Sequence, residues 1–130
     1  MNPYNNTGLQ VPEYGPEGYA VTTASGVKIH LVPGGNYSDL EFDEVDFSHI
    51  TLKANFTGTK FTHCLFHMVD FSGSDFAGAT IDDCIITTSA FMWSDWSKVT
   101  LTDTFLHDVR FAYSDLSGAR IDAGLSLIHI

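Results

Sequence analysis

Three observations predict that this chain folds as an all-β solenoid of short extended edges. The first is a period. From Phe56 every fifth residue is large and apolar: Phe61, Phe66, Phe71, Phe76, Ile81, Ile86, Phe91, Trp96, Leu101, Leu106, Phe111, Leu116 and Ile121. With 44% of the chain hydrophobic, fourteen consecutive hits in one frame arise by chance about once in 100,000. The second is a companion series two residues before each of these, running from Ala54, Thr59, Cys64, Val69 and Ser74 to Ala119, in which every member is small or medium-sized. A separation of two places both residues on one side of an extended segment. The third is the number itself: five fits neither a helix nor a long strand, so the chain turns in every repeat and stacks its edges into a narrow core.

The elements follow in order. Residues 1–36 are an N-terminal arm and cap. The first seventeen, rich in Asn, Pro and Gly, predict a poorly ordered arm. Residues 18–34 alternate Val21, Val27, Ile29 and Leu31 around Ser25-Gly26, which predicts a hairpin or irregular cap over the open end of the solenoid. Residues 37–124 are the repeat region. Phe42, Phe47 and Leu52 carry the period upstream, with Leu40, Val45 and Ile50 two before each. One residue is missing between Leu52 and Phe56, which places a deletion at a corner near Lys53. The opposite frame, with Leu40, Val45 and Ile50 as the large positions, would expose Phe42, Phe47 and Leu52. Burying each of those is worth ~1.5–3 kcal/mol, which favours the first frame. Residues 125–130 are apolar but off the period, a C-terminal cap, a dimerisation tail or the cut edge of a longer solenoid.

Ala54-Asn55-Phe56, Ser74-Asp75-Phe76, Ser94-Asp95-Trp96 and Ser114-Asp115-Leu116 resemble the repeat of the pentapeptide repeat proteins, Ala/Ser-Asp/Asn-Leu/Phe and two variable residues. The resemblance implies a right-handed quadrilateral parallel β-helix with four repeats to a coil, here about 4.5 coils. At ~4.8 Å per coil that is a rod ~22 Å long. Residues twenty apart then stack. One face carries the ladder Asn55, Asp75, Asp95 and Asp115. The next carries Asp82, Asp83, Asp103 and Asp122, mixed with Lys60 and Arg120. A third stacks Leu65, Ile85 and Phe105 outward beside Met68, His67 and His107. The fourth carries Met92, Trp93 and Tyr113 beside Asp70 and Arg110.

No pattern predicts catalysis, a metal or a cofactor. There is no Cys-x-x-Cys pair, phosphate loop, nucleophile elbow or His-Glu-x-x-His. His67 and His107 are two coils, ~10 Å, apart, beyond one metal's reach. Cys64 and Cys84 stack inward with parallel Cβ vectors and read as small core residues. Paired carboxylates such as Asp82-Asp83 face solvent on a convex rod, where catalysis needs a concave pocket. Two cysteines, no signal-like N-terminus and no membrane-length apolar run predict a cytoplasmic chain.

Charge points to a partner. The chain carries 16 acids and 6 Lys+Arg, a formal net charge of −10, which disfavours nucleic acid and acidic membranes and favours a basic protein. Residues 37–124 hold 14 of the acids and 5 of the bases. That is one net charge per ~2.4 Å of rod, against one per ~1.7 Å in duplex DNA. The leading expectation is a non-enzymatic DNA mimic whose acidic faces (Asp75, Asp95, Asp115, Asp82, Asp83, Asp103, Asp122) occupy and inhibit or protect a DNA-handling enzyme. Against it stands local turn chemistry, because Asp or Asn at the ladder position caps the adjacent turn. The family resemblance implies DNA gyrase or topoisomerase IV as the target and a homodimer joined at the C-terminal end. A defence nuclease fits the charge equally. The alternative is a structural or scaffolding module that self-associates or binds partners through Leu65, Ile85, Phe105, Met68, Met92, Trp93 and Tyr113. Coverage of that apolar face by the N-terminal arm is a third reading.

Overall fold

The computed structural model describes residues 8–122. Strands β1 (Glu13–Gly15), β2 (Gly18–Thr22) and β3 (Lys28–Leu31) form an antiparallel sheet in that order. Beyond it the chain winds as a four-sided parallel solenoid. On one side β4 (Glu41–Asp43), β5 (Lys60–Thr62), β7 (Thr80–Asp82), β9 (Thr100–Thr102) and β11 (Arg120–Asp122) stack as a five-stranded sheet. On the next, β6 (Leu65–His67), β8 (Ile85–Ala90) and β10 (Phe105–Arg110) stack as a three-stranded one. The other two sides close through single bridges, Asn36–Asn55–Asp75–Asp95–Asp115 and Thr51–Asp70–Ala90. Coils therefore begin at Asn36, Asn55, Asp75 and Asp95, and a fifth opens at Asp115.

The pairings locate the deletion. Asn36 pairs with Asn55, Glu41 with Lys60, Asp46 with Leu65 and Thr51 with Asp70, all nineteen apart. Asn55 pairs with Asp75, and later rungs are twenty apart. The coil is one residue short between Thr51 and Asn55, the stretch that contains Lys53. What is missing there is a particular residue. Two positions after each other large residue from Tyr37 to Leu116 the backbone is left-handed, as at Asp39, His63, Trp93 and Gly118, whereas Leu52 is followed by no such position before Ala54.

The interior follows the period. Phe42, Phe47, Phe56, Phe61 and Phe71 are fully buried, and Leu52 is nearly so, as the first frame requires. Aromatic rings pack from coil to coil, Phe56 stacked on Phe76 at 5.2 Å, Phe47 stacked on Phe66 at 5.1 Å and Tyr37 tilted against Phe56 at 5.5 Å, close to the spacing of neighbouring strands. The small series also carries hydrogen bonds. Ser74 Oγ accepts the Ala54 amide at 3.0 Å and donates to the Leu52 carbonyl at 3.2 Å. Ser89 Oγ accepts the Val69 amide at 3.1 Å and donates to the Thr87 carbonyl at 2.8 Å. These hydroxyls satisfy corner amides of the preceding coil that are buried away from water.

One expectation is corrected. Part of the arm predicted to be poorly ordered is built into the cap: Glu13–Gly15 form β1, and Tyr14 packs on Tyr19 at 4.8 Å. Gln10 bridges Val45 of the first coil, and its side-chain amide clamps Thr22 through Nε2 to the carbonyl and Oε1 from the amide. Pairing partners, which composition does not show, order this segment. The C-terminal segment 125–130 lies outside the described residues.

Candidate functional site

The ladder Asn36, Asn55, Asp75, Asp95 and Asp115 is a run of consecutive rungs. Each Oδ1 accepts the amide two residues on, from Ser38 at 3.1 Å and from Thr57, Ala77, Ser97 and Ser117 at 2.9 Å. Ser97 Oγ adds a second bond to Asp95. The Ser117 hydroxyl and amide hold the Asp115 carboxyl below its ordinary value. This is the expected turn chemistry, and it fixes the direction of every rung. It does not require charge, because Asn36 and Asn55 make the same bond as the three aspartates.

The structure divides the second acidic group. Asp82 and Asp122 lie in one strand row with Asp43, Thr62 and Thr102, while Asp83 and Asp103 occupy the adjoining left-handed corner. His63 stands at that corner between coils. Its Nδ1 meets Asp43 Oδ1 at 2.8 Å, and its Nε2 meets Asp83 Oδ2 at 3.2 Å. A ring nitrogen facing a carboxylate on each side favours the doubly protonated imidazolium. The hydrogen bond to Asp43 raises the His63 pKa, aided by the charges of Asp43, Asp83 and Glu44 against partial desolvation. The same bond, joined by Thr62 Oγ1 at 2.7 Å, lowers that of Asp43. The sequence reading missed Asp43. The deletion puts it nineteen residues, not twenty, before its row partner Thr62, so counting in twenties does not align it.

Leu65, Ile85 and Phe105 are successive rungs of one row. Ile85 is 48% and Phe105 41% exposed, and Leu65 is half-buried. Gln10 of the described N-terminal residues pairs with Val45 of the first coil. Met68 is also exposed, while Met92 is half-buried. Trp93 and Tyr113 stack face to face, centroids 4.3 Å apart and planes 11° from parallel, on the corner between the fourth face and the aspartate ladder. His67 and His107 flank Thr87 in one row, two coils apart, as expected. Cys64 and Cys84 are buried free thiols. The Cys84 sulfur beside Cys64, together with burial, pushes the Cys64 thiol up and keeps it from acting as a thiolate.

Charge compensation is sparse. Among the described residues the ion pairs are His30 with Glu17 and His63 with Asp43 and Asp83, and no Lys or Arg pairs with a carboxylate. Also among the described residues, no helix is long and apolar enough to cross a membrane.

Residues 53–87 match the family model of pentapeptide repeats in eight copies. Among solved structures the chain is similar to QnrB1, a plasmid-mediated fluoroquinolone resistance protein, at 18% identity and a TM-score of 0.29. The match covers 67% of this chain and 59% of that one, so the chain spans less than two thirds of the other's length. No curated protein sequence matches it.

Proposed function

We propose that this pentapeptide repeat protein is a non-enzymatic acidic binder that presents its charged faces, in the manner of DNA, to the DNA-binding surface of a basic protein and inhibits or protects it. One observation carries the reading. The carboxylates of Asp75, Asp95 and Asp115 are held in register by their own turns, where asparagine would serve the fold equally, and no lysine or arginine of the described chain neutralises them. Charge that the fold does not need and does not compensate is available to a partner. Asp82, Asp83, Asp103 and Asp122 extend the acidity around the next side, where Asp83 is paired with His63 and Lys60 and Arg120 lie in the same sheet. By family resemblance the first targets to test are DNA gyrase and topoisomerase IV, with DNA nucleases beside them.

The test is a supercoiling assay run with a nuclease panel, at two salt concentrations and with competing DNA. Inhibition is expected to weaken with salt and to be relieved by excess DNA. Replacing Asp75, Asp95 and Asp115 together with Asn removes three charges while keeping every turn acceptor, and inhibition should fall with an unchanged fold. Inhibition that survives this variant refutes the assignment to the ladder.

The exposed row of Ile85 and Phe105 favours a second reading, a scaffolding module that self-associates or binds partners through its apolar face. Phe105→Asp should abolish that association and leave the charge-dependent inhibition intact.

A further inference from the structure

The stacked pair Trp93 and Tyr113 joins two successive coils at the surface rather than in the core. Both residues sit at the left-handed corner position, with φ of 55° and 61°. Glycine occupies the equivalent place at Gly73, and bulky side chains are disfavoured there. Nor does either ring bury itself in exchange, since Trp93 is 65% and Tyr113 73% exposed. Two large aromatic side chains thus stand outward, largely exposed, stacked on each other.

Their surroundings say what they suit. Asp95 follows Trp93 by two residues, and Asp115 follows Tyr113 by two, so the aromatic corner borders the last two rungs of the ladder. The rung before Trp93 at this corner is Gly73, with the aliphatic stem of Lys53 lying over it: a Cβ on Gly73 would meet Lys53 Cδ at 3.1 Å. Arg110 lies in the row of the fourth face, paired with Ala90. An aromatic platform edged by carboxylates suits a planar cation. Arginine stacks on aromatic faces while its guanidinium hydrogens pair with carboxylates, which an ammonium does less well. The same acidity repels the phosphates of any nucleic acid whose bases would otherwise use such a platform.

We propose that the Trp93–Tyr113 corner is the anchor for an arginine side chain of the basic partner, with Asp95 and Asp115 holding its guanidinium. The proposal rests on the acidic-binder reading and gives that surface a specific point of attachment. It can be tested by calorimetric titration of the full chain with acetylated hexa-arginine and, in parallel, hexa-lysine. Trp93→Asn and Tyr113→Asn are the informative variants, because asparagine tolerates the left-handed corner and keeps the fold. Each should weaken hexa-arginine binding about three- to tenfold and hexa-lysine binding by about twofold at most. The triple Asp→Asn ladder variant should weaken both peptides together. Equal loss of both peptides in Trp93→Asn, or unchanged hexa-arginine binding in either corner variant, overturns the anchor while the acidic-binder reading stands. Failure of hexa-arginine alone to bind the unaltered chain overturns the anchor, and failure of both peptides overturns the acidic-binder reading with it.

Discussion

Ser89→Ala tests how the coils are held together. Ser89 is 4% exposed, and its hydroxyl lies between coils. It accepts the amide of Val69, itself 3% exposed, and donates to the carbonyl of Thr87. Alanine fits the site, since Ala54 and Ala79 occupy equivalent positions, so the substitution introduces neither strain nor a sizeable cavity. What it removes is the acceptor for a buried amide. Leaving such a donor unsatisfied costs about 1–3 kcal/mol. For a chain of this size each kcal/mol shifts the midpoint by about 4 °C, so melting should fall by roughly 4–12 °C. Thermal unfolding followed by circular dichroism reads the shift, and hydrogen exchange at the Val69 amide reads its origin. Ser89→Cys should recover part of the loss, because the Cys84 sulfur already receives the Cys64 amide at 3.4 Å in the same arrangement. A melting point within about 2 °C of the unaltered protein, with Val69 still protected, would refute the hydroxyl's role.

Two further outcomes follow from the corners. The His63 ring should titrate above its ordinary 6.5 in an NMR pH series. Because its folded pKa is raised, the stabilisation is full below 6.5 and is lost as pH rises through the folded value. Asp43 acts in the opposite sense: its pKa is lowered, so its contribution is present above 3.8 and is lost as pH falls through the folded value. A His63 midpoint at or below 6.5 would show that the two carboxylates do not hold the proton. Gly73→Ala and Gly78→Ala both place alanine at a left-handed position, φ 79° and 70°, and each should cost roughly 1–2 kcal/mol in urea denaturation. Gly73→Ala should cost more, since its new methyl meets the Lys53 stem while the one at Gly78 meets open space. Equal costs would show that the Lys53 side chain yields freely.

The inward half of the repeat was legible because burial repeats with the backbone. Phe56, Phe61, Phe66 and Phe71 could be assigned to the core without any structure, and stacking at twenty-residue intervals wrote out the aspartate ladder and the Leu65, Ile85 and Phe105 row. The outward half was harder. Asp82 and Asp83 are neighbours in sequence, yet one lies in a strand row and the other at a corner. The left-handed position escaped the apolar pattern because residues as different as Gly73, His63, Thr88 and Trp93 occupy it. Ser74 and Ser89 were read for their size, whereas their hydroxyls bond across coils. Glu13–Gly15 were read as an arm because antiparallel pairing leaves little trace in so short and Gly/Pro-rich a segment.

By itself the sequence determined the solenoid, its core columns, its acidity and the place where one residue is missing. Those follow from local periodicity and composition, which any single strand of text carries. The tertiary structure decided which charges are free and which are held. It brought His63 between Asp43 and Asp83, set Trp93 flat against Tyr113, and, among the described residues, left the three ladder carboxylates without a lysine or arginine partner. The physical reason is that such contacts join side chains of different coils. Their geometry depends on the shortened coil near Lys53 and on the turn at each corner, and neither is expressed in the spacing of the large residues.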